Sequence, residues 1–374
     1  MAEPPARPER DAGPVEDLST PAILVDRDVL ERNIAAMQAR AQAAGVKLRP
    51  HAKTHKSPEV ARMQISAGAA GLTVAKVSEA EVFVGAGFDD LFLGYPIVGA
   101  EKARRLLTLS DRARLSVGTD SVEGARSLGD VFHAAGRRLS VRLKIDCGFH
   151  RVGVPPESAL RVAQEIAELP GISLDGVFTH GGQGYGGESP EEVARIGREE
   201  GRIVSEAADA LRGAGLRVDD VSLGSTPTAA SAMTHPGVTE CRPGTYVYND
   251  LSQVSLGTCG PEDCALTVLA TVVSVPAADR AVVDAGSKTL STDPLRPRPE
   301  GHGLIVGRRS RLARLSEEHG VIRVEEGESF RVGEKVRILP NHVCVVVNLH
   351  DRLIAVRGGR VRGEIAVAAR GCVQ

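Results

Sequence analysis

The sequence predicts an α/β protein in which a (β/α)8 barrel of the TIM type is followed by a C-terminal antiparallel β domain. Up to about residue 255, short apolar runs alternate with segments rich in Ala, Glu and Arg that have helical periodicity. Beyond that point, apolar runs are separated only by turns of Gly, Pro and charged residues. Eight consecutive βα units are typical of a closed parallel barrel, and 374 residues are enough for such a domain and a smaller second one.

The individual elements are predicted from the N-terminus onward. Residues 1–17 are rich in Pro and charge and lack an apolar stretch, so we expect a disordered tail rather than a signal peptide. A short strand at Ala22–Val25 and a helix from Asp28 to about Ala44 follow. The eight barrel strands are expected at Lys47–Pro50, Leu72–Ala75, Leu91–Gly94, Leu115–Gly118, Val141–Ile145, Gly176–Thr179, Val221–Gly224 and Glu240–Val247. The last unit is the least regular, because residues 248–260 contain few helix formers.

The barrel is therefore expected over residues 18–255 and the β domain over residues 256–374. The strands of the β domain are expected at Leu266–Val275, Ala281–Val283, Lys335–Leu339, Val343–Val347 and Leu353–Val356.

Composition excludes several classes of function. The formal net charge of −2, the absence of Trp and an aromatic content of 3% argue against a nucleic-acid surface. No apolar run approaches 18 residues, so no membrane span is expected. The six cysteines form no C-x-x-C pair and are too sparse for a disulfide scaffold, which indicates a reducing, cytoplasmic environment.

The segment His51–Lys56 contains two lysines and two histidines where the first barrel strand turns into a helix. A lysine beside other cations loses proton affinity and becomes a better nucleophile toward carbonyls. Lys53 is therefore a candidate catalytic amine. A solvated basic loop is the simpler interpretation of such a run on its own.

Other polar residues follow later strands at the same, C-terminal end of the predicted barrel, where barrel enzymes place their chemistry. His180 follows the sixth strand. Gly224-Ser225-Thr226 follows the seventh and offers two hydroxyls and backbone N–H groups, which suit a phosphate. Gly244-Thr245, at the eighth strand, would add further donors. An ordinary Gly-Ser-Thr turn is the alternative.

His342 and Cys344 lie two residues apart on a predicted strand, so their side chains should share one face. An imidazole and a thiolate provide half of a tetrahedral metal site, and their softness suits zinc. Two protein ligands would leave positions for water or substrate oxygens. The alternative is a packed strand with a buried Cys and a surface His.

Six sequence blocks carry a resemblance to a known family. They are Arg49–Lys56, Ile145–Gly153, Thr179–Gly182, Gly224–Thr228, Arg242–Tyr246 and Pro340–Cys344. In this order they are similar to blocks of the D-threonine aldolase/D-serine dehydratase family, within the alanine-racemase-like, fold-type III enzymes that use pyridoxal 5′-phosphate (PLP). The resemblance extends from about residue 17 to the C-terminus and is closest to bacterial low-specificity D-threonine aldolases.

The resemblance implies a set of site residues. Lys53 would bind PLP covalently, with His180 as a second catalytic residue, and Arg242 would face the pyridine nitrogen. A divalent metal, Zn²⁺ or Mn²⁺, would bind His342 and Cys344. Contacts to the cofactor are implied for Lys53, His180, Tyr185, Gly224, Ser225, Thr226, Arg242, Gly244, Thr245 and Tyr246. The family's Gly-Gly-His-Ser-Tyr is Gly-Gly-Gln-Gly-Tyr over residues 181–185, so a histidine base from that loop is missing here. A homodimer is also implied.

The resemblance further implies a lyase acting on a D-β-hydroxy-α-amino acid. The favoured reaction is retro-aldol cleavage to glycine and an aldehyde. β-Elimination of D-serine or 3-hydroxyaspartate to a keto acid and ammonia is the alternative, and Cys344 favours it, because the better-known aldolases have an aspartate there. A racemase would need a tyrosine from the β domain, but all four tyrosines, Tyr95, Tyr185, Tyr246 and Tyr248, lie in the predicted barrel. A non-catalytic PLP carrier is a remote alternative, since the known carriers lack a second domain.

Overall fold

A computed structural model describes residues 12–374 and confirms the predicted parallel barrel and the predicted antiparallel β domain. Within that range, eight parallel strands form one sheet in the order β2-β9-β8-β7-β6-β5-β4-β3. The strands are β2 (Lys47–Leu48), β3 (Leu72–Val74), β4 (Asp90–Leu93), β5 (Arg114–Thr119), β6 (Leu139–Lys144), β7 (Ile172–Phe178), β8 (Asp220–Leu223) and β9 (Glu240–Cys241). A parallel bridge between His51 and Thr73 joins the two ends of the sheet and closes the barrel.

Helices surround the barrel and return the chain between successive strands. They are α1 (Arg27–Ala43), α2 (Pro58–Ser66), α3 (Val77–Gly85), α4 (Ala100–Leu109), α5 (Val122–Ala134), α6 (Ala159–Ala167), α7 (Pro190–Gly213), α8 (Ala229–Ala232) and α9 (Leu251–Ser255). The longest, α7, begins as its sequence requires: the Ser189 hydroxyl accepts the Glu192 N–H, and Pro190 occupies the first turn.

The β domain is a closed antiparallel barrel with an extension. Its strands are β1 (Ala22–Asp26), β10 (Leu266–Ala277), β11 (Arg280–Val283), β12 (Gly303–Ile305), β13 (Arg311–Leu315), β14 (Gly320–Arg323), β15 (Lys335–Pro340), β16 (Arg352–Arg357) and β17 (Arg360–Ala366). Two short helices, α10 (Ser287–Leu290) and α11 (Val343–Asn348), complete it. Strands β10 to β15 pair in a ring that closes between β10 and β11, and β1, β16 and β17 extend this sheet.

The start of the described chain belongs to the β domain. Strand β1 pairs with β10 and β16, so this domain takes strands from both ends of the chain. Most of the tail predicted to be disordered, residues 1–11, lies outside the described residues. Residues 12–17 are folded instead, because Val15 packs at 1% exposure against Leu24 and Leu269. The exact domain boundaries at residues 17/18 and 255/256 stay a prediction.

Two of the predicted strands differ most from the structure. Residues 343–347 form helix α11, in which Val343, Val346 and Val347 are buried on one face. An all-apolar run of five residues fits a strand or a buried helix equally well, so its period did not discriminate between them. The eighth barrel strand is confined to Glu240–Cys241, and residues 245–247 form a 3₁₀ turn. In residues 12–374, no helix is both long and apolar enough to cross a membrane.

Candidate active site

A cavity of about 610 Å³ opens between the C-terminal ends of the barrel strands and the β domain. It brings together the predicted site residues from both domains, with one exception, Tyr246. The predicted residues that line it are Lys53, His180, Tyr185, Gly224, Ser225, Thr226, Arg242, Gly244, Thr245, His342 and Cys344. The Tyr246 hydroxyl instead accepts a hydrogen bond from Gln64 at 2.9 Å, and only its backbone N–H reaches the site, donating to Thr226 Oγ1.

Lys53 lies in the wall of this cavity with a lowered pKa. Burial is the main cause, and the charges of Arg151 and Arg242 act in the same direction, although Cys344 opposes them. Within residues 12–374 its ammonium makes no hydrogen bond or ion pair. The expectation that the adjacent lysine activates it is not supported, because Lys56 pairs with the buried Glu79 at 3.2 Å.

Two imidazoles in the cavity are held in the neutral form. Burial and the charge of Lys53 lower the pKa of both His51 and His180 well below the ordinary range. His180 Nδ1 lies 3.2 Å from the carbonyl oxygen of Gly224, so Nδ1 carries the proton and Nε2 is free to accept one. Its ring also contacts Phe149 edge-on, at 5.8 Å between centroids.

The turn after β8 has the conformation that the sequence suggested. Gly224 adopts φ +111°, and a Cβ there would lie 2.9 Å from Cys241 Sγ. Among the described residues, no protein group accepts the backbone N–H of Thr226. The small residue Gly244 packs against the segment that carries Lys53, since a Cβ on it would lie 2.9 Å from Thr54 Oγ1 and 3.0 Å from the carbonyl oxygen of His51. The turn can therefore offer a phosphate the donors of Thr226 and of the Gly244-Thr245 segment, but not those of Ser225, whose N–H donates to Thr228 Oγ1 and whose hydroxyl donates to the carbonyl oxygen of Gly181.

Sequence reasoning missed Glu200, which builds this turn from beneath. Its side chain on α7 is fully buried and accepts the backbone N–H of Gly181 at 2.7 Å and that of Gly224 at 3.0 Å. The hydroxyl of Thr228 donates to it at 2.7 Å. The sequence suggested that the Gly224 N–H could bind a phosphate, but Glu200 already accepts it. A glutamate within the regular charge pattern of α7 gives no sequence signal for this role.

Arg242 enters the cavity from the barrel interior with 5% exposure. Its guanidinium donates to Ser222 Oγ and to the carbonyl oxygen of Thr179, both at 2.5 Å. It also lies over the Phe92 and Phe178 rings, 5.4 and 5.2 Å from their centroids. Burial lowers the pKa of Arg242 to about 10, so the group stays a charged donor at neutral pH.

Tyr185 lines the cavity, and burial raises the pKa of its phenol far above the ordinary value. A hydrogen bond with Thr245 opposes this shift only in part. Gln183, which replaces the family's histidine, donates to the carbonyl oxygen of Cys147 at 2.7 Å and so packs into the wall. Tyr185 is therefore a neutral hydroxyl that can donate a hydrogen bond.

His342 and Cys344 are in contact, but not for the reason expected from a strand. His342 precedes helix α11 and Cys344 lies in its first turn, where each side chain shifts the pKa of the other. Burial opposes charge on His342, yet the Cys344 thiolate and Asp293, 2.6 Å from Nδ1, raise its pKa to about 11. Burial likewise opposes a thiolate, but His342 and Lys53 lower the pKa of Cys344.

The barrel holds this pair in place across the domain boundary. Thr54, next to Lys53, lies with its hydroxyl 3.2 Å from Cys344 Sγ. Asp250 accepts the backbone N–H of Val343 at 3.2 Å, and Ser252 donates to the carbonyl oxygen of Asn341 at 2.8 Å. Burial raises the pKa of Asp250 to about 6. Within residues 12–374, no group of three or more His, Cys, Asp or Glu side chains is arranged to hold a metal ion, and the two-ligand site at His342 and Cys344 stays a prediction.

A parallel barrel with a buried amine at its C-terminal end and an antiparallel β domain are features of the fold-type III PLP enzymes. Family models agree: residues 25–252 match "Alanine racemase, N-terminal domain" and residues 265–356 match "Putative serine dehydratase domain". The chain belongs to the D-threonine aldolase/D-serine dehydratase family, and it is a lyase that uses PLP.

Relatives of this family match nearly the whole chain. D-threo-3-hydroxyaspartate dehydratase of Delftia sp. (strain HT23) is 36% identical over 96% of this chain and 96% of its own length. D-threonine aldolase of Arthrobacter sp. is 35% identical over 98% of this chain and 96% of its own length. The crystal structure of D-threonine aldolase from Filomicrobium marinum superposes with a TM-score of 0.90 at 34% identity, covering 98% of this chain and 100% of that one.

Another solved structure, a cysteine-to-alanine mutant of D-threo-3-hydroxyaspartate dehydratase in the metal-free form, superposes with a TM-score of 0.88. It is 36% identical, over 95% of this chain and 99% of that one.

Proposed function

We propose that this lyase cleaves D-β-hydroxy-α-amino acids by a retro-aldol reaction to glycine and an aldehyde, with PLP on Lys53 and one divalent metal ion, Zn²⁺ or Mn²⁺, on His342 and Cys344. One observation supports the pairing of cofactor and metal: the unpaired Lys53 amine and the His342–Cys344 pair lie in one cavity, and Thr54 connects them. A metal there would lie within the substrate site rather than in a separate structural site.

The residues present fit PLP. Lys53 is a buried amine whose lowered pKa leaves more of it neutral, which attack on an aldehyde requires. Thr226 and Thr245 offer donors for a phosphate, and Arg242 offers a donor for a ring nitrogen. When bound, PLP withdraws electrons from the Cα of an attached amino acid. Because Arg242 is a donor only, a ring nitrogen beside it stays unprotonated, and that withdrawal is weaker than with a carboxylate partner.

The residues present also fit a divalent metal. His342 and Cys344 supply one imidazole nitrogen and one thiolate, and Asp293 holds the other imidazole nitrogen, the usual support of a metal-binding histidine. When bound, the ion would act as a Lewis acid on the β-hydroxyl group. The neutral imidazoles of His51 and His180 line the same cavity and can accept a proton.

β-Elimination to a keto acid and ammonia is the second candidate. Two observations favour it. Cys344 stands where the better-known aldolases of the family have an aspartate, and Lys53 has the lowered pKa that removal of a Cα proton by an amine needs. Retro-aldol cleavage needs no Cα proton transfer before the carbon–carbon bond breaks, so the two reactions differ in their demand on Lys53.

The proposal includes a homodimer in the cytoplasm. All six cysteines are free in the described structure, which fits a reducing compartment. Light scattering after size-exclusion chromatography should give a mass about twice that of one chain.

Product analysis tests the proposed function. The PLP- and metal-loaded enzyme is incubated with D-threonine, D-serine and D-3-hydroxyaspartate, and with L-threonine as the control. Glycine and acetaldehyde from D-threonine support the aldolase reaction, whereas keto acid and ammonia identify the elimination. Turnover of none of the D-amino acids, or equal turnover of L-threonine, would contradict the proposal.

A further inference from the structure

Ser222 lies in the interior of the barrel between Arg242 and a buried carboxylate. It is fully buried on β8, where its hydroxyl accepts from Arg242 Nη1 and donates to Glu240 Oε1 at 2.5 Å. Because a hydroxyl has a single proton and an arginine is a donor only, the direction of both hydrogen bonds is determined. The order is Arg242 to Ser222 to Glu240.

Glu240 is held as an anion at the end of this chain. Arg142 Nη1 donates to Oε1 and Arg49 Nε to Oε2, both at 2.6 Å, and Glu240 is fully buried. Burial alone would raise its pKa, but the two arginines and Ser222 lower it to about 2. At neutral pH the Glu240 carboxylate is therefore ionised and can only accept hydrogen bonds. The Ser222 hydroxyl must then donate its proton to Glu240.

Arg242 is thereby restricted to one orientation. Two of its five N–H groups are bound by Ser222 and Thr179, and the Phe92 and Phe178 rings lie against its plane. The remaining N–H groups have no protein acceptor in the described part of the chain, and Arg242 lines the cavity. A fixed, charged donor of this kind suits an aromatic nitrogen acceptor better than a mobile one, because no rotamer freedom is lost when it binds.

We propose that Ser222 and Glu240 are positioning residues that hold Arg242 as a fixed, charged hydrogen-bond donor toward the ring nitrogen of PLP. This inference rests on the proposed function in one respect, the placement of the PLP ring beside Arg242. It concerns residues that have no contact with the cavity. Ser222 and Glu240 act on the cofactor only through Arg242.

The test is the pH titration of the visible absorbance of the bound cofactor, in the wild-type enzyme and in Ser222→Ala. A positive charge held near a protonated nitrogen lowers the pKa of that nitrogen. Loosening Arg242 should therefore move the titration midpoint to higher pH, by up to about one unit, equivalent to about 1.4 kcal/mol. The Kd of PLP, measured by adding it to the cofactor-free protein, should rise by about tenfold at most.

Three further variants make the result specific. Ser222→Thr keeps the hydroxyl and should restore the wild-type midpoint. Ser140→Ala removes a hydroxyl from a pocket that Arg49 and Arg142 line and Arg242 does not, and should leave the midpoint unchanged. Arg242→Lys should shift the midpoint at least as far as Ser222→Ala.

Two results would overturn the inference, and they have different meanings. A midpoint that moves in Arg242→Lys but not in Ser222→Ala would refute the positioning role and leave the placement of Arg242 intact. A midpoint that moves in neither variant would show that Arg242 is not beside the ring, while turnover of D-threonine would still test the lyase function independently.

Discussion

The two ends of the barrel both bury positive charge, but only one end neutralises it. At the N-terminal end of the strands, Arg49 pairs with Glu240 and Asp90, and Arg142 pairs with Glu240 and Asp220. At the C-terminal end, Lys53, Lys144 and Arg242 face the cavity, and none of them forms an ion pair within the described structure. Burying an unpaired cation is costly, so this end is built for an anionic ligand.

The pKa values reflect the same contrast. Ion pairing with Glu240 and Asp90 outweighs burial and raises the pKa of Arg49 beyond its ordinary value. At the opposite end, burial lowers the pKa of Lys144 to about 8, and the charges of Arg242 and Arg151 add to the effect. A cofactor phosphate and a substrate carboxylate would supply the missing negative charge, which explains why a barrel can hold so many cations at one end.

The segment His51–Lys56 contains one unpaired lysine, Lys53, and one ion-paired lysine, Lys56. Replacing each of them gives the prediction with the largest effect. Lys53→Ala should abolish turnover and the visible absorbance of bound PLP while leaving the melting temperature unchanged or higher, because an unpaired buried cation is removed. Lys56→Ala is the matched variant three residues away. It leaves the buried Glu79 without its cation and should lower stability by about 3 kcal/mol while retaining cofactor absorbance. Thermal unfolding and absorbance spectra of both variants check this, and the reverse pattern would refute the contrast.

Removing the metal should have the next largest effect. Chelation, or His342→Ala, should lower kcat by about a hundredfold or more, since a Lewis acid supplies several kcal/mol. PLP absorbance should persist, because Lys53 and the phosphate turn belong to the other domain. Activity is measured before and after dialysis against chelator and again after Zn²⁺ or Mn²⁺ is restored. Full activity in the metal-free protein would eliminate the metal from the reaction.

At the paired end, an effect on stability is expected. The pKa of Glu240 lies at about 2, below its ordinary value of 4.5, so its ion pairs stabilise the protein above pH 4.5 and are lost as the pH falls toward 2. Glu240→Gln should therefore lower the free energy of unfolding at pH 7 by about 3 kcal/mol and flatten its dependence on pH between those values. Denaturant unfolding at several pH values measures both. A variant with the wild-type pH profile would contradict the assigned charge state.

The smallest effect is expected where only the type of metal ligand changes. Cys344→Asp replaces a thiolate by a carboxylate and should shift the metal preference from Zn²⁺ toward Mn²⁺, since harder ions prefer oxygen ligands. The ratio of activities with the two ions measures this shift. An increase in aldol cleavage relative to elimination would show that Cys344 helps to select the reaction. An unchanged metal preference would argue that Cys344 is not a ligand.

The fold could be predicted from the sequence because its periodicity is regular. The βα alternation predicted all eight barrel strands, and the loss of helical segments predicted the β domain. The membership of β1 in the second sheet could not be predicted, because a short apolar strand does not specify a partner some 240 residues away. Helix α11 was missed because Val-Cys-Val-Val-Val has no discriminating period.

The candidate site was predicted through motifs, and the residues that support it were not. Lys53 and the Gly224 turn directly follow barrel strands, where barrel enzymes place their catalytic residues, and their residue types suit that chemistry. Glu200 and Ser222 lie within a regular helix and a regular strand, and their contacts arise only from tertiary packing. The pairing of Lys56 with Glu79 likewise separates two lysines that look equivalent in the sequence.

Borohydride reduction of the PLP-loaded enzyme, followed by peptide mapping, identifies the lysine that binds the cofactor. Reduction fixes the cofactor to the lysine that holds it, and four lysines compete: the unpaired Lys53 and Lys144, the ion-paired Lys56, and Lys76, which lies over the Tyr95 ring. We expect a single labelled peptide with the modification on Lys53. A label on Lys56, Lys76 or Lys144 would contradict the assignment of Lys53 and, with it, the account of the cavity.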